Sequence, residues 1–346
     1  MANSRKFRVA LIGTDSLRGK EIKSILSAKK FPLSQIEFFD SDVQEEYGKL
    51  TEFDGEPRVI HHPSPASLDG VDLVFLAADR QASLLFGRLA AEKRYQAIDL
   101  TGAFSDQDDI PLIVAGVNDQ LLAARRHPLI ANPHPVTVIL SSLLRRLIAK
   151  LGIVKAVAFV LQPVSVFESG IEELASQSAA MLSGASPSKE VFRDQIAFNI
   201  LSHTETPDAN GFSSGERQVI AEVKRVLGHP DLPLSLSVIQ APVFHTYSIM
   251  AYLEPEAETN IQDLERIYKE SPLFKIGARS AACAVTCLSV AGKEQIFIGQ
   301  IKKEETFPNS YWIWTVTDNL TRGSALNALE IARTLHNRRR GERVSK

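Results

Sequence analysis

The residues that could do chemistry gather at one bend of the chain. Between Pro128 and Leu140 (PLIANPHPVTVIL) an apolar run, Leu129-Ile130-Ala131, stops at Asn132-Pro133-His134-Pro135, and an amphipathic pattern starts at Val136. A buried strand running into a helix reads this way. In α/β enzymes such an elbow lifts a nucleophile above the sheet, where helix N-terminal N–H groups lower a thiol's pKa and hold an oxyanion. This elbow supplies no thiol, and no hydroxyl before Thr137, which has no neighbouring base that the sequence reveals. His134 could act as a base beside the bend; the competing reading is a helix cap or a half-exposed turn residue between two prolines.

A second candidate is the turn Gly13-Thr14-Asp15-Ser16-Leu17-Arg18-Gly19, set between a strand and a helix. Two glycines six apart fit a dinucleotide fingerprint, the first for the tight turn and the last for close helix packing. The middle glycine is missing, and Ser16 stands at or near its place, where its Cβ would crowd a pyrophosphate. Asp40 follows Gly19 by 21 residues at a strand end, where a carboxylate can bond a ribose 2′-OH. Asp42, Glu45 and Glu46 add acidity without an arginine for a 2′-phosphate, so a bound cofactor would be NAD rather than NADP. The alternatives are a turn that binds nothing and a solvated acidic loop.

Other chemistry-bearing residues read as ordinary structure. His61-His62 falls in a polar, proline-rich loop, and no Cys or carboxylate spacing completes a metal site. Cys283 and Cys287, if on one strand, would be about 13 Å apart, too far to bridge. Glu172 and Glu173 begin a helix, where acids stabilise the N-terminus. His245 is placed on an alternating strand alongside Tyr247, and a phenol of ordinary pKa is a poor base at neutral pH.

The elements that must position these residues change character along the chain. The first third alternates strand and helix: strands at Phe7–Ile12, Ile36–Phe39, Val71–Leu76, Gln96–Leu100, Pro111–Val117 and Leu129–Ala131, and helices after Gly13 and over Ala82–Lys93. That alternation predicts a doubly wound, mostly parallel sheet with ligands at its strands' carboxyl ends. Beyond the elbow come a helix over Val136–Leu151 stopped by Gly152, a strand at Ile153–Leu161, and helices near Glu172–Leu182 and Lys189–Leu201. Another helix opens on the capping-box spacing Ser213-Ser214-Gly215-Glu216 and ends at Gly228. Strands follow around Gln240-Ala241-Pro242, at Gln295–Lys302 and at Tyr311–Thr317, which predicts an α+β domain.

A chain of 346 residues with 44% hydrophobic composition suits two packed domains. A formal charge of -2 argues against nucleic acid or a membrane surface as partner, with Arg338, Arg339 and Arg340 read as a solvated end. The alternating N-terminus is not read as a signal peptide and no run reaches spanning length; with so few cysteines, a reducing cytoplasm is expected.

Longer motifs carry a resemblance. Gly13-x5-Gly19, Asp99-Leu-Thr-Gly-Ala-Phe104, Asp109 to Asn118, Asn132-Pro133, Gln162-x-Val-Ser165, Glu172-Glu-Leu174 and Phe198-Asn199-x3-His203 occur in the order found in aspartate-semialdehyde dehydrogenases. Ala241-Pro242-Val243 and Ile298-Gly299-Gln300-Ile301 continue it, and Asp318-Asn319-Leu320-x-Arg322-Gly323-x-Ala325-Leu-Asn327-Ala328 resembles the family's DNLRKGAALNA. The resemblance implies a Rossmann-type dinucleotide-binding domain of residues 1–131 with 320–346, and an α+β substrate and dimerisation domain of residues 132–319. It further implies a homodimer, a small-molecule ligand in a cleft between the domains, and Asn327 near the nicotinamide.

The family's reaction needs a thiolate, a histidine acid/base and arginines on the substrate carboxylate and acyl phosphate. By the resemblance, the cysteine of N-P-N-C maps to Pro135. R-[IV]-P-V-x-x-G-H puts the arginine at Gln240 and the histidine at Tyr247, and S-A-F-R puts the phosphate arginine at Ser105. Gln162 is the one unchanged member. Two expectations stand: a family member degenerate for the phosphorylating semialdehyde reaction, or an NAD-dependent oxidoreductase acting on another aldehyde or oxo group without a thioester.

Overall fold

A computed structural model describes residues 6–43, 48–124, 126–202, 204–278 and 285–344 of the chain. Glu45, Glu46, His203 and Cys283, with the side chains of Arg339 and Arg340, lie outside the described residues. The elements begin β1 (Phe7–Ile12), α1 (Leu17–Ala28), β2 (Leu33–Phe39), β3 (Lys49–Phe53), β4 (Glu56–His61), β5 (Leu73–Leu76), α2 (Arg80–Arg88) and α3 (Ala90–Lys93). There follow β6 (Gln96–Asp99), α4 (Leu121–Ala124), β7 (Leu129–Ala131), α5 (Pro135–Leu151), β8 (Lys155–Gln162), α6 (Gly170–Leu182), α7 (Ser214–Leu227) and β9 (Leu234–Gln240). The chain ends with β10 (Tyr247–Glu254), α8 (Ile261–Lys269), β11 (Phe274–Ile276), α9 (Cys287–Val290), β12 (Ile296–Lys303), β13 (Tyr311–Thr317) and α10 (Leu326–Val344).

Two compact units result, one of residues 1–134 with 324–346 and the other of residues 135–323. Among the described residues, the first unit's sheet has the order β3-β4-β2-β1-β5-β6-β7 and is parallel except for the β3–β4 pair. Val9 and Leu11 of β1, Phe38 of β2 and Phe75 of β5 share a core with Ile22, Ile25 and Leu26 of α1. The chain's last helix closes the same core: Leu326, Leu329, Ala332 and Leu335 of α10 are buried in it, and Arg333 donates to the Lys29 carbonyl. Arg338 donates to the Leu122 carbonyl and is half-buried, so this part of the basic tail is docked rather than solvated.

The second unit is the α+β domain. Its sheet runs β11-β12-β13-β10-β8-β9. Helix α5 lays Ile139, Leu140, Leu143, Leu144 and Leu147 on one face of it, joined by Val219 and Val223 of α7 and Leu264 of α8. Each such buried aliphatic side chain contributes roughly 1.5–3 kcal/mol. Gly152, at φ +71°, stops α5. Ser213 and Glu216 close the expected capping box on α7, and Gly228 ends it in the left-handed region.

Two expectations fail for one shared reason: side chains take backbone groups that a ladder or a helix would have used. Pro111–Val117 forms no strand beyond a bridge from Leu112 to Ala131. Asn118 accepts from the Val114 N–H and donates to the Leu112 carbonyl, while Asn327 accepts from the Ala115 N–H. Lys189–Leu201 forms no helix, because Glu173 of α6 accepts the N–H groups of Glu190, Val191 and Phe192, and Gln177 those of Ile196 and Ala197. His61 is not in a loop: the β3–β4 hairpin, unread in the sequence, ends on it, with its ring 6.2 Å from that of Phe39. Cys287 opens the short helix α9 rather than lying on a strand, and His245 precedes β10 in a turn.

Candidate functional site

In the first unit the Gly13 turn joins β1 to α1. Gly13 has φ +94°, and a Cβ there would lie 2.2 Å from the Ala78 nitrogen, so only glycine lets the β5–α2 turn come this close. Ser16 is the N-cap of α1: its Oγ accepts the Gly19 N–H at 2.9 Å and lies 2.8 Å from the Gly13 carbonyl oxygen and 2.7 Å from that of Ala77. The hydroxyl in the missing glycine's place is therefore turned onto the turn's own backbone. Gly19 packs as closely, since a Cβ would meet the Gly13 oxygen at 1.9 Å. Leu17 begins the helix.

Asp40 follows β2 and is 7% exposed. Its Oδ2 accepts the N–H of Asp15, which ties the strand end to the turn at 3.0 Å. Burial raises its pKa to about 6. The acids around it are not uncompensated: Lys49, at the start of β3, pairs with Asp15 at 2.7 Å and with Asp42 at 3.2 Å. Sequence reasoning missed Lys49 because it arrives on the unread hairpin. A cavity of about 570 Å³ lies against the same strands, lined by Phe39, Val43, Ile60, His61, His62 and Arg8 among others.

Asn327 is fully buried, with its Oδ1 bonded to the Ala115 N–H and its Nδ2 donating to the Ile113 carbonyl and to Asn132 Oδ1. It thereby fixes Asn132, whose N–H in turn donates to the Asp99 carbonyl. Asp99 is itself buried, and its carboxylate accepts from the Thr101 and Phe104 N–H groups. Burial raises its pKa despite those bonds. Ser105 sits on the loop so formed, 3.1 Å from the Gly102 carbonyl. His134 is half-buried at the end of this unit.

The second unit starts at Pro135, the first residue of α5. Proline suits that place because its missing N–H has no intrahelical partner. Gly323 packs on its ring, since a Cβ at 323 would stand 2.7 Å from the Pro135 Cβ. Two residues on, Thr137 donates to Glu222 Oε2 at 2.6 Å. Both are buried, so this carboxylate, which the sequence did not reveal beside Thr137, joins α5 to α7.

Gln162, Gln240 and Tyr247 do come together. The Tyr247 hydroxyl donates to Gln162 Oε1 at 3.2 Å, and Gln162 Nε2 donates to Gln240 Oε1 at 3.0 Å. Gln240 Nε2 then donates to the carbonyls of Gln162 and Ala241. These three side chains bond one another and carry no formal charge. Tyr247 is fully buried, and burial drives its pKa well above the ordinary phenol value, so it cannot serve as a base. Just before it, Thr246 holds φ +80°, a conformation a β-branched residue adopts only under constraint. Its N–H donates to Asn319 Oδ1 and its buried Oγ1 has no hydrogen-bond partner. Among the described residues no group of three or more His, Cys, Asp or Glu could hold a metal, and no helix is long and apolar enough to cross a membrane.

Comparison with known proteins agrees with this architecture. Residues 8–125 match the model "Semialdehyde dehydrogenase, NAD binding domain", and residues 144–322 match "Semialdehyde dehydrogenase, dimerisation domain". Aspartate-semialdehyde dehydrogenases of Shewanella sp. and Rickettsia bellii are 26% and 27% identical to the chain, each over 96% of it and 98% of the relative. The crystal structure of aspartate semialdehyde dehydrogenase II from Vibrio cholerae superposes with a TM-score of 0.89 at 25% identity, covering 96% of this chain and 98% of that one. A probable aspartate-semialdehyde dehydrogenase from Pseudomonas aeruginosa gives a TM-score of 0.88 at 27% identity with the same coverage. With both family models matched in order on a doubly wound unit and an α+β unit, the chain belongs to the semialdehyde dehydrogenase family.

Proposed function

We propose that this family member binds a nicotinamide dinucleotide at the Gly13 turn but is degenerate for the phosphorylating oxidation of aspartate semialdehyde. The observation that carries the reading is the neutral Tyr247–Gln162–Gln240 network, which stands where the family motifs call for a histidine and an arginine. A carboxylate and an acyl phosphate are held by charge-assisted bonds, roughly twice as strong as neutral ones. Neutral amides that already bond each other offer no equivalent. Pro135, in the place of the thiolate, has no atom that can form an acyl intermediate. Ser105, in the place of the phosphate arginine, brings no positive charge.

The register of this comparison has independent support. The glycine of R-[IV]-P-V-x-x-G-H falls at Thr246, and Thr246 keeps the positive φ that a glycine would adopt freely. That conformation supports the register in which Tyr247 takes the histidine's place.

The dinucleotide half of the reading rests on the close-packed Gly13 and Gly19 and on buried Asp40. Gly13, Ser16, Leu17 and Gly19 would hold the pyrophosphate side, and Asp40 the ribose. The cofactor, when bound, supplies a hydride donor or acceptor. Asp40 and Asp42 favour NAD over NADP. A homodimer is supported by the dimerisation-domain match and by the sheet face away from the helices, where Val157, Phe159, Tyr252 and Trp312 leave an apolar row partly open to solvent.

Titration of the purified protein with NADH and NADPH, followed by a phosphate-dependent assay with aspartate semialdehyde, tests both halves. Binding without turnover is expected. Turnover near an ordinary enzymatic rate of about 10 per second would overturn the degenerate reading. No binding at millimolar concentration would overturn the dinucleotide reading, and sedimentation as a monomer the dimer.

A further inference from the structure

The hairpin β3–β4 delivers a cation to a place where the sequence shows only acids. Lys49 spans two elements: its ammonium holds Asp15, inside the Gly13–Gly19 turn, and Asp42, beyond the end of β2. Asp40, two residues before Asp42, accepts the Asp15 N–H. Asp15 raises the Lys49 pKa to about 12, so the ammonium stays charged at all physiological pH values. Among the described residues, the carboxylates of Asp15, Asp40 and Asp42 and the Lys49 ammonium therefore gather at the end of β2.

Asp40 stands where a doubly wound fold receives the adenosine ribose. A ribose bearing a free 2′-OH can donate to Asp40 without disturbing the ion pairs. A 2′-phosphate would meet the negative charge of Asp40, and the Lys49 ammonium beside it is already held by Asp15 and Asp42. We propose that Lys49 is a specificity-determining residue: paired with Asp15 and Asp42 it makes the turn select NAD, and freed from them it becomes a receptor for a 2′-phosphate. The inference rests on the reading that the Gly13 turn binds a dinucleotide.

Isothermal titration with NADH and NADPH tests it on the full chain and three variants: Asp15→Asn with Asp42→Asn, Lys49→Gln alone, and all three changes together. The side chains of Asp15, Asp42 and Lys49 are each more than a third exposed, and the substitutions are near-isosteric, so folding is checked simply by the thermal midpoint. The wild type is expected to bind NADH at least about tenfold more tightly than NADPH. The double variant should gain about tenfold in NADPH affinity relative to NADH, and the triple variant should lose that gain. Lys49→Gln alone should weaken NADPH further, because the acids then stand uncompensated. An equal gain in the triple variant would show that removing negative charge, not freeing Lys49, relaxes the selectivity, and would overturn the inference. So would NADH binding with the same NADH-to-NADPH ratio in every variant, which leaves the dinucleotide reading intact. No binding of either nucleotide to any variant overturns the dinucleotide reading, and the inference with it.

Discussion

Asp40→Asn should make the protein more stable at neutral pH and a poorer binder of NADH. Asp40 is 7% exposed, and burial lifts its pKa from 3.8 to about 6, against the opposing pull of the Asp15 N–H and of Lys49. The nearby charges of Asp15 and Asp42 contribute to that rise after burial. A folded-state pKa above the unfolded one means that the native state binds the proton more tightly. The stability from protonated Asp40 is thus fully present below pH 3.8 and is lost as pH rises through 6. A shift of about two units corresponds to about 3 kcal/mol, the upper limit of what ionised Asp40 costs at pH 8.

Asparagine keeps an acceptor for the Asp15 N–H and removes the charge, but it brings two N–H donors into a largely buried place. One such donor without a good partner costs about 1–3 kcal/mol, so the net gain expected at pH 8 is at most about 2 kcal/mol. Urea denaturation of wild type and variant at half-unit steps from pH 4 to 8 reads this directly. The variant's advantage should be absent or reversed near pH 4, grow between pH 4 and 6.5, and then level. A stability difference that is flat across that range would refute the reasoning, because it would mean that Asp40 titrates alike in the folded and unfolded chain. NADH affinity should fall by about tenfold in the same variant, as the ribose loses a charged acceptor.

Glu173→Ala should release the 188–201 segment from α6, seen as faster amide exchange at Glu190, Val191 and Phe192 with the sheet amides unchanged; uniform protection there would mean the carboxylate holds nothing. Gly323→Ala should destabilise the second unit by about 1–3 kcal/mol in thermal denaturation, because its Cβ meets the Pro135 ring at 2.7 Å. Pro135→Cys should leave turnover of aspartate semialdehyde with phosphate at the wild-type level, since Ser105, Gln240 and Tyr247 keep their present chemistry. Thr246→Gly should stabilise by about 1 kcal/mol, the relief of a positive φ and of an unbonded Oγ1 outweighing the lost methyl and the freer unfolded chain. Thr246→Ala, which keeps the strained backbone, should recover only the hydroxyl part of that gain.

Periodicity was enough to read the doubly wound unit and the capped helices, because those features are written in local spacing, whereas the return of α10 to the first unit came only from the family motifs. The strand run at Leu129–Ala131, the stop at Gly152 and the box at Ser213–Glu216 all lie within a few residues of what they control. What escaped depends on pairs far apart in the chain. Lys49 meets Asp15 across a hairpin, and Glu222 meets Thr137 from a different helix. Glu173 and Gln177 strip Lys189–Leu201 of helical bonds, although its apolar spacing fits a helix. No local pattern encodes a carboxylate's choice between solvent and a distant N–H. The positions Pro135, Gln162, Gln240 and Tyr247 became legible only through the longer family motifs, since no spacing rule links residues from so many elements.

The separation between frame and chemistry has a physical basis in where each is held. The bends at the elbow and at Thr246 are fixed by contacts within the chain: Gly323 against the Pro135 ring, Asn319 on the Thr246 N–H, and Asn327 across Asn132, Ile113 and Ala115. The chemistry of the family instead needs charge and nucleophilicity at a few side-chain ends. At the corresponding end of the second sheet the neutral side chains of Tyr247, Gln162 and Gln240 bond one another. Thr246 shows which of the two is the stiffer. The backbone there turns as glycine would, at the expense of a strained φ and an unbonded hydroxyl. Packing around the turn therefore holds the bend by itself, which is why Thr246→Gly, rather than any change at Tyr247, is the substitution expected to raise stability without altering what the protein binds.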